Sequence, residues 1–136
     1  MTEPLLLAAT DPNSIYLLRR YAEESGFVVV HANEVEDVLL LARRVKPAVI
    51  IVETGLPGMA DRRVWLALKA DEVTRHIPVV VYSWFEEEAD DPVQGVASYL
   101  QHPLLYEGFL AALRKAGVCP PRDDLLQSPS QGPSQG

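Results

Sequence analysis

AVIIVETGLPGM, residues Ala48 to Met59, is a run of apolar β-formers that stops at one carboxylate, Glu53, and enters a Gly-Leu-Pro-Gly turn. An unbroken Val/Ile block, with no alternation, is what a parallel strand covered on both faces requires. Open α/β sheets gather their sites at the carboxyl ends of such strands. Glu53 is therefore the first candidate functional residue, and the question is what the chain places around it.

Outward from this stretch, apolar runs at 5–9, 27–31, 48–52, 79–82 and 96–100 predict five strands. Amphipathic segments separate them. Asp11 is a good N-cap with Pro12 at the first helical position, and Gly26 stops that helix. Val35, Val38, Leu39 and Ala42 share one face of a second helix that ends before Pro47. A third runs from near Asp61 to Ala70, and a last one carries the stripe Phe109, Ala112, Leu113, Ala116 and ends at Gly117. This alternation means an α/β sheet with right-handed crossovers.

One crossover fits badly. In SWFEEEADDPVQG, residues 83–95, five acids crowd together (Glu86, Glu87, Glu88, Asp90 and Asp91) and Pro92 breaks any helix that continues past it. A fourth helix here is shortened or broken, and the acidic run reads as a solvated loop. After Gly117 the composition turns to Pro, Ser, Gln and Gly, with PSQG twice. Such a segment buries too little apolar area to order itself, so 119–136 is expected to be a disordered tail or a linker stub.

The chain has 136 residues, 48% of them hydrophobic, which suits one domain with a real core. A formal charge of −7 disfavours direct nucleic-acid binding. The basic pairs Arg19-Arg20, Arg43-Arg44 and Arg62-Arg63 are scattered and read as solvated helix faces. No stretch approaches a membrane span, and the opening MTEPLLLAAT lacks the basic region and cleavage site of a signal peptide. Cys119, a single cysteine, permits no intramolecular disulfide and fits a reducing cytoplasm.

The strand ends hold Ala9-Thr10-Asp11, Glu53, Ser83-Trp84 and Gln101-His102-Pro103. In the order DPN with LLRRYAEESGF, KPAVIIVETGLPGM, LKADEVTRHIPVVVYS and YLQHPLLYEGFLAALRKAG, residues 3–118 resemble the response-regulator receiver domain. The resemblance implies the CheY-like, flavodoxin-like fold: a doubly wound five-stranded parallel sheet in the order 2-1-3-4-5 with helices on both faces.

It also assigns positions. The family's two metal-holding acids fall at Ala9 and Thr10, with Asp11 one place late, where it serves better as a helix cap. The phospho-accepting aspartate corresponds to Glu53, the Thr/Ser that follows the phosphoryl group to Ser83, and the aromatic switch to Tyr99. The lysine before proline corresponds to His102, with Pro103 kept. Tyr99 has an alternative reading as ordinary packing.

Mg²⁺ wants several charged oxygen ligands, and Ala9 and Thr10 supply no carboxylate, which leaves Glu53 and the Gly55 carbonyl. Without the ion and the lysine, nothing neutralises a transferring phosphoryl group. Glu53 is also one methylene too long, and misplacement on the ångström scale costs about a hundredfold in rate. Trp84, directly after Ser83, is expected to crowd the entrance. Glu53 is expected to reach toward Ser83 or His102; the alternative is an exposed strand-end acid without a partner. His31 and His76 read as ordinary surface or strand-end residues.

The expectation is a degenerate pseudo-receiver, not an enzyme and without cofactor or metal, acting as a protein-interaction module in two-component signalling. Its partner would be a histidine kinase, an output domain or another signalling protein, with no membrane contact, and its state monomer or weak dimer. One alternative is a still-switchable receiver that is phosphorylated elsewhere, for example on Asp11, or binds Mg²⁺ weakly. Another is a flavodoxin-like binder of a small phosphate ligand on the loop TDPNS, Thr10 to Ser14, which lacks the glycines such loops use.

Overall fold

Leu5, Leu6, Leu7 and Ala8 are successive residues with no solvent exposure at all. Side chains alternate across a strand, so burial of every position demands cover on both faces. The computed structural model describes residues 3–53, 63–83, 96–101 and 104–121. There β1 (Glu3–Ala8) lies inside a parallel sheet with β2 (Phe27–Ala32), β3 (Val49–Glu53), β4 (Val79–Ser83) and β5 (Ser98–Gln101), in the order β2-β1-β3-β4-β5. The register sets Leu5 opposite Val29 on one side and Val49 on the other, Ile51 opposite Val80, and Glu53 opposite Tyr82. Strand order and parallel pairing are those expected.

The alternation produces two apolar layers. Leu5, Leu7, Ile51, Val80 and Tyr82 pack with Leu18 and Ala22 of α1 (Pro12–Glu24) and with Phe109 and Leu113 of α4 (Tyr106–Lys115). Leu6, Ala8, Ile50 and Val52 pack on the opposite side with Val38 and Ala42 of α2 (Val35–Val45) and Leu68 of α3 (Arg63–Ala70). Each fully buried Leu or Ile stabilises the fold by about 1.5–3 kcal/mol relative to leaving it in water.

Helix ends match their residues. Asp11 caps α1, its Oδ2 accepting from the Ser14 amide at 2.9 Å, with Pro12 just inside. Gly26 stands at φ 99° after α1 and Gly117 at φ 81° after α4, conformations glycine adopts without a Cβ penalty. After α2 the same left-handed turn is made by Lys46, at φ 52°. Two buried hydroxyls bond to helix carbonyls: Thr74 Oγ1, in the turn after α3, donates to Leu68, and Ser98 Oγ of β5 donates to Ala112, both at 2.7 Å. Tyr21, Tyr106 and Phe109 cluster where α1 meets α4, and Tyr21 Oη donates to the Leu104 carbonyl at 2.9 Å.

Arg19, Arg20, Arg43 and Arg44 are exposed, as expected for solvated faces. Arg43 pairs with Asp71 at 3.1 Å across the α2–α3 side. The helix expected to be shortened or broken between β4 and β5 falls outside the described residues, as do Arg62, Trp84, Pro92 and the tail beyond residue 121. Among the described residues, no helix is long and apolar enough to cross a membrane.

Candidate functional site

β1 ends with Ala9 buried, and the chain then turns into α1 through Thr10 and Asp11. β3 runs alongside β1 and ends in Glu53, one residue beyond the Ala8–Val52 pair. This register brings the Glu53 side chain level with the β1–α1 turn. Its Oε1 accepts from the Thr10 amide at 2.7 Å, from Thr10 Oγ1 at 3.4 Å and from the Asp11 amide at 3.4 Å. The side chain is buried, only 5% exposed. The alternative of an exposed strand-end acid without a partner is therefore overturned: a carboxylate taken out of water needs donors, and the turn supplies them.

The expected partners of Glu53 were Ser83 and His102. The Ser83 side chain, His102 and Pro103 lie outside the described residues. Oε1 faces the turn at the head of α1.

A second polar chain begins at Asp11. Its Oδ2 accepts from Ser14 Oγ at 2.8 Å, and Ser14 Oγ lies 3.2 Å from Tyr82 Oη. Ser14 and Tyr82 are both fully buried. Burial pushes the Tyr82 phenol above its ordinary pKa, and the nearby Asp11 and Glu53 carboxylates push it further; the Ser14 hydrogen bond works against them. Sequence reasoning missed Tyr82. The available signal was a hydroxyl-bearing aromatic as the last apolar residue of a buried strand, which must find a polar partner.

His31 was read as a plain strand-end residue. The structure places its ring, half-buried at the end of β2, with Nε2 donating to the Ala9 carbonyl at 2.8 Å. It thus closes the other side of the β1 end, while His76 is exposed. Tyr99 is half-buried on β5, opposite Val81, and packs on the layer that faces α2 and α3.

The described residues offer a magnesium ion few charged donors. Ala9 has only its carbonyl, which accepts from His31, and Thr10 has a neutral hydroxyl. Asp11 is engaged as the cap and Glu53 as acceptor for the turn. Among the described residues, a hard cation that gives up water reluctantly meets two carboxylates here, Asp11 and Glu53, each with one oxygen already bonded to the turn. Among the described residues, no group of three His, Cys, Asp or Glu side chains has metal-holding geometry.

No family model matches the chain. The polar-differentiation response regulator DivK of Brucella ovis is 26% identical over 117 residues, covering 84% of this chain and 95% of DivK. PilH of Pseudomonas aeruginosa is 29% identical over 112 residues, covering 80% and 93% of the two chains. Among solved structures, the bacteriophytochrome response regulator RtBRR superposes with a TM-score of 0.74 at 25% identity, covering 92% of this chain and 87% of that one. The likeness spans the whole sheet and both helical layers, so it bears on the fold and not on a single motif. In sequence the chain is similar to response regulators of two-component signalling, and in strand order it has their receiver fold.

Proposed function

We propose that this receiver works without phosphorylation: a non-enzymatic, cytoplasmic interaction module that stays in one state and is recognised by another signalling protein, a histidine kinase or an output domain. One observation supports this reading above others. The carboxylate where a receiver accepts its phosphoryl group is a buried glutamate, with Oε1 already engaged by the Thr10 and Asp11 amides. Beside it, Ala9 and Thr10 bring no carboxylate to hold a metal ion. Phosphoryl transfer in such a site rests almost wholly on positioning and on neutralising charge, and neither requirement is met by these side chains. The roles assigned to Glu53, Ser83, Tyr99, His102 and Pro103 are part of this proposal. Contact with the partner is expected on the side carrying β5 and α4, where Leu105 is a large exposed apolar side chain.

The test is thermal unfolding of the wild type with and without millimolar Mg²⁺ and beryllofluoride. A ligand that binds only the folded state stabilises it by about 2.7 kcal/mol at a hundredfold over its dissociation constant. An unchanged midpoint is expected. A clear rise means that the centre still takes metal and phosphoryl analogue, and the reading fails.

A further inference from the structure

The bond between Glu53 and the β1–α1 turn crosses 43 residues of sequence and joins two strand ends. Several of its neighbours are provided for within the turn. Pro12 has no amide to satisfy, the Ser14 amide goes to Asp11 Oδ2, and the Ile15 amide goes to the Asp11 carbonyl. The Thr10 and Asp11 amides lie just ahead of the helix and point at Glu53, in the positive field of the α1 terminus. Their acceptor is a side chain more than nine-tenths buried, from another strand. Charge-assisted bonds of this kind are short and strong, and the Thr10 bond has the expected length, 2.7 Å.

We infer that Glu53 is a built-in anion: its carboxylate takes the two amides at the head of α1 and holds the β1–α1 turn in a single arrangement. The side chain has the length to do this because it is a glutamate. An aspartate oxygen would sit back by about 1.5 Å, one carbon–carbon bond, out of hydrogen-bond reach of Thr10. The extra methylene that spoils phosphoryl geometry is what lets the tie form. The inference deepens the reading of a silent receiver and rests on it for its functional meaning, whereas the tie itself is tested separately.

Thr10 is an exposed residue with a part-buried amide bond, so the change in its exchange on substitution, set against sheet amides, reports the bond. Amide hydrogen exchange is measured by NMR in the wild type, Glu53→Gln, Glu53→Asp and Glu53→Ala, with the Leu7 and Ile51 amides in the sheet as folding controls. The Thr10 amide is expected to exchange about ten- to a hundredfold faster in Glu53→Ala and in Glu53→Asp, the range that loss of a bond to a charged group implies. Glu53→Gln keeps the shape and one acceptor oxygen and falls between them and the wild type. Should Glu53→Ala fail to fold, the contrast between Asp and Gln decides. Wild-type exchange at Thr10 in Glu53→Asp, or in a folded Glu53→Ala, overturns the tie. That outcome leaves the phosphorylation-independent reading standing. A Mg²⁺-driven rise in the wild-type midpoint would do the reverse.

Discussion

Tyr82 Oη and Ser14 Oγ lie 3.2 Å apart across 68 residues of sequence, and both side chains are fully closed off from solvent. The pair joins the end of β4 to the first turn of α1, directly below the turn that Glu53 holds from β3. The head of α1 is thus anchored to two separate strands.

Tyr82→Phe keeps the ring and loses this anchor. Ser14 Oγ retains Asp11 as its partner, so Ser14 is not orphaned and the expected cost is about 1 kcal/mol. Urea unfolding at pH 7 measures it.

The same variant tests pH dependence. The folded-state pKa of Tyr82 is raised, so its neutral form favours folding; that contribution is full below the unfolded value near 10 and is lost as pH rises through the higher folded value. Wild-type stability should fall more steeply above about pH 10 than that of Tyr82→Phe, and the gap between them should shrink. Parallel alkaline limbs for the two proteins would refute this.

Asp11→Ala removes the N-cap of α1, and with it one acceptor for a buried hydroxyl. A loss of about 1 kcal/mol is expected, with Asp11→Asn losing less because its amide oxygen still caps. In Asp11→Asn the Tyr82 phenol should also titrate at lower pH, since one of the charges that raises it is gone. Thermal unfolding and the absorbance of tyrosinate check the two halves.

Lys46 adopts φ 52° at the end of α2, a conformation costing a non-glycine residue about 1–2 kcal/mol. Glycine avoids that cost but loses more backbone freedom on folding, about 0.5–1 kcal/mol. Lys46→Gly should therefore be more stable than the wild type by roughly 0.5–1 kcal/mol. Lys46→Val, β-branched in the same place, should be less stable than either. Thermal unfolding of the three proteins ranks them.

Ser98→Ala breaks the bond from β5 to the Ala112 carbonyl. That carbonyl still accepts from the Ala116 amide at the end of α4, so the cost should stay near 1 kcal/mol and not reach the 1–3 kcal/mol of an orphaned group. Denaturant unfolding separates these values.

Strands, helices and caps were legible because each is signalled locally. The Val/Ile block at 48–52, Asp11 before Pro12, and glycine at 26 and 117 carry their own stereochemical reasons. Boundaries shifted by a residue or two, most at β1, which opens at Glu3 and not at Leu5, and at β5, which opens at Ser98 and not at Val96. The stop at Lys46 was foreseen from Pro47, but its left-handed backbone was not, since nothing in a lysine announces φ > 0.

The site was legible in part. Glu53, Ala9, Thr10 and Asp11 were named from their places at strand ends, and Asp11 was correctly read as a cap. Tyr82 was not, and Ser14 and His31 were named without the role they take, because what makes each matter is a partner 68 or 22 residues away in the chain.

By itself, then, the sequence determined the alternation of elements, the buried stripes of α2 and α4, the cap of α1, and which side chains stand at the carboxyl ends of the strands; these come from spacing and local backbone preference. Only the tertiary structure decided where Glu53 spends its oxygen. A carboxylate bonds to whatever donors the packed strands bring within about 3 Å. Here the register of β1 against β3 brings the amides of Thr10 and Asp11.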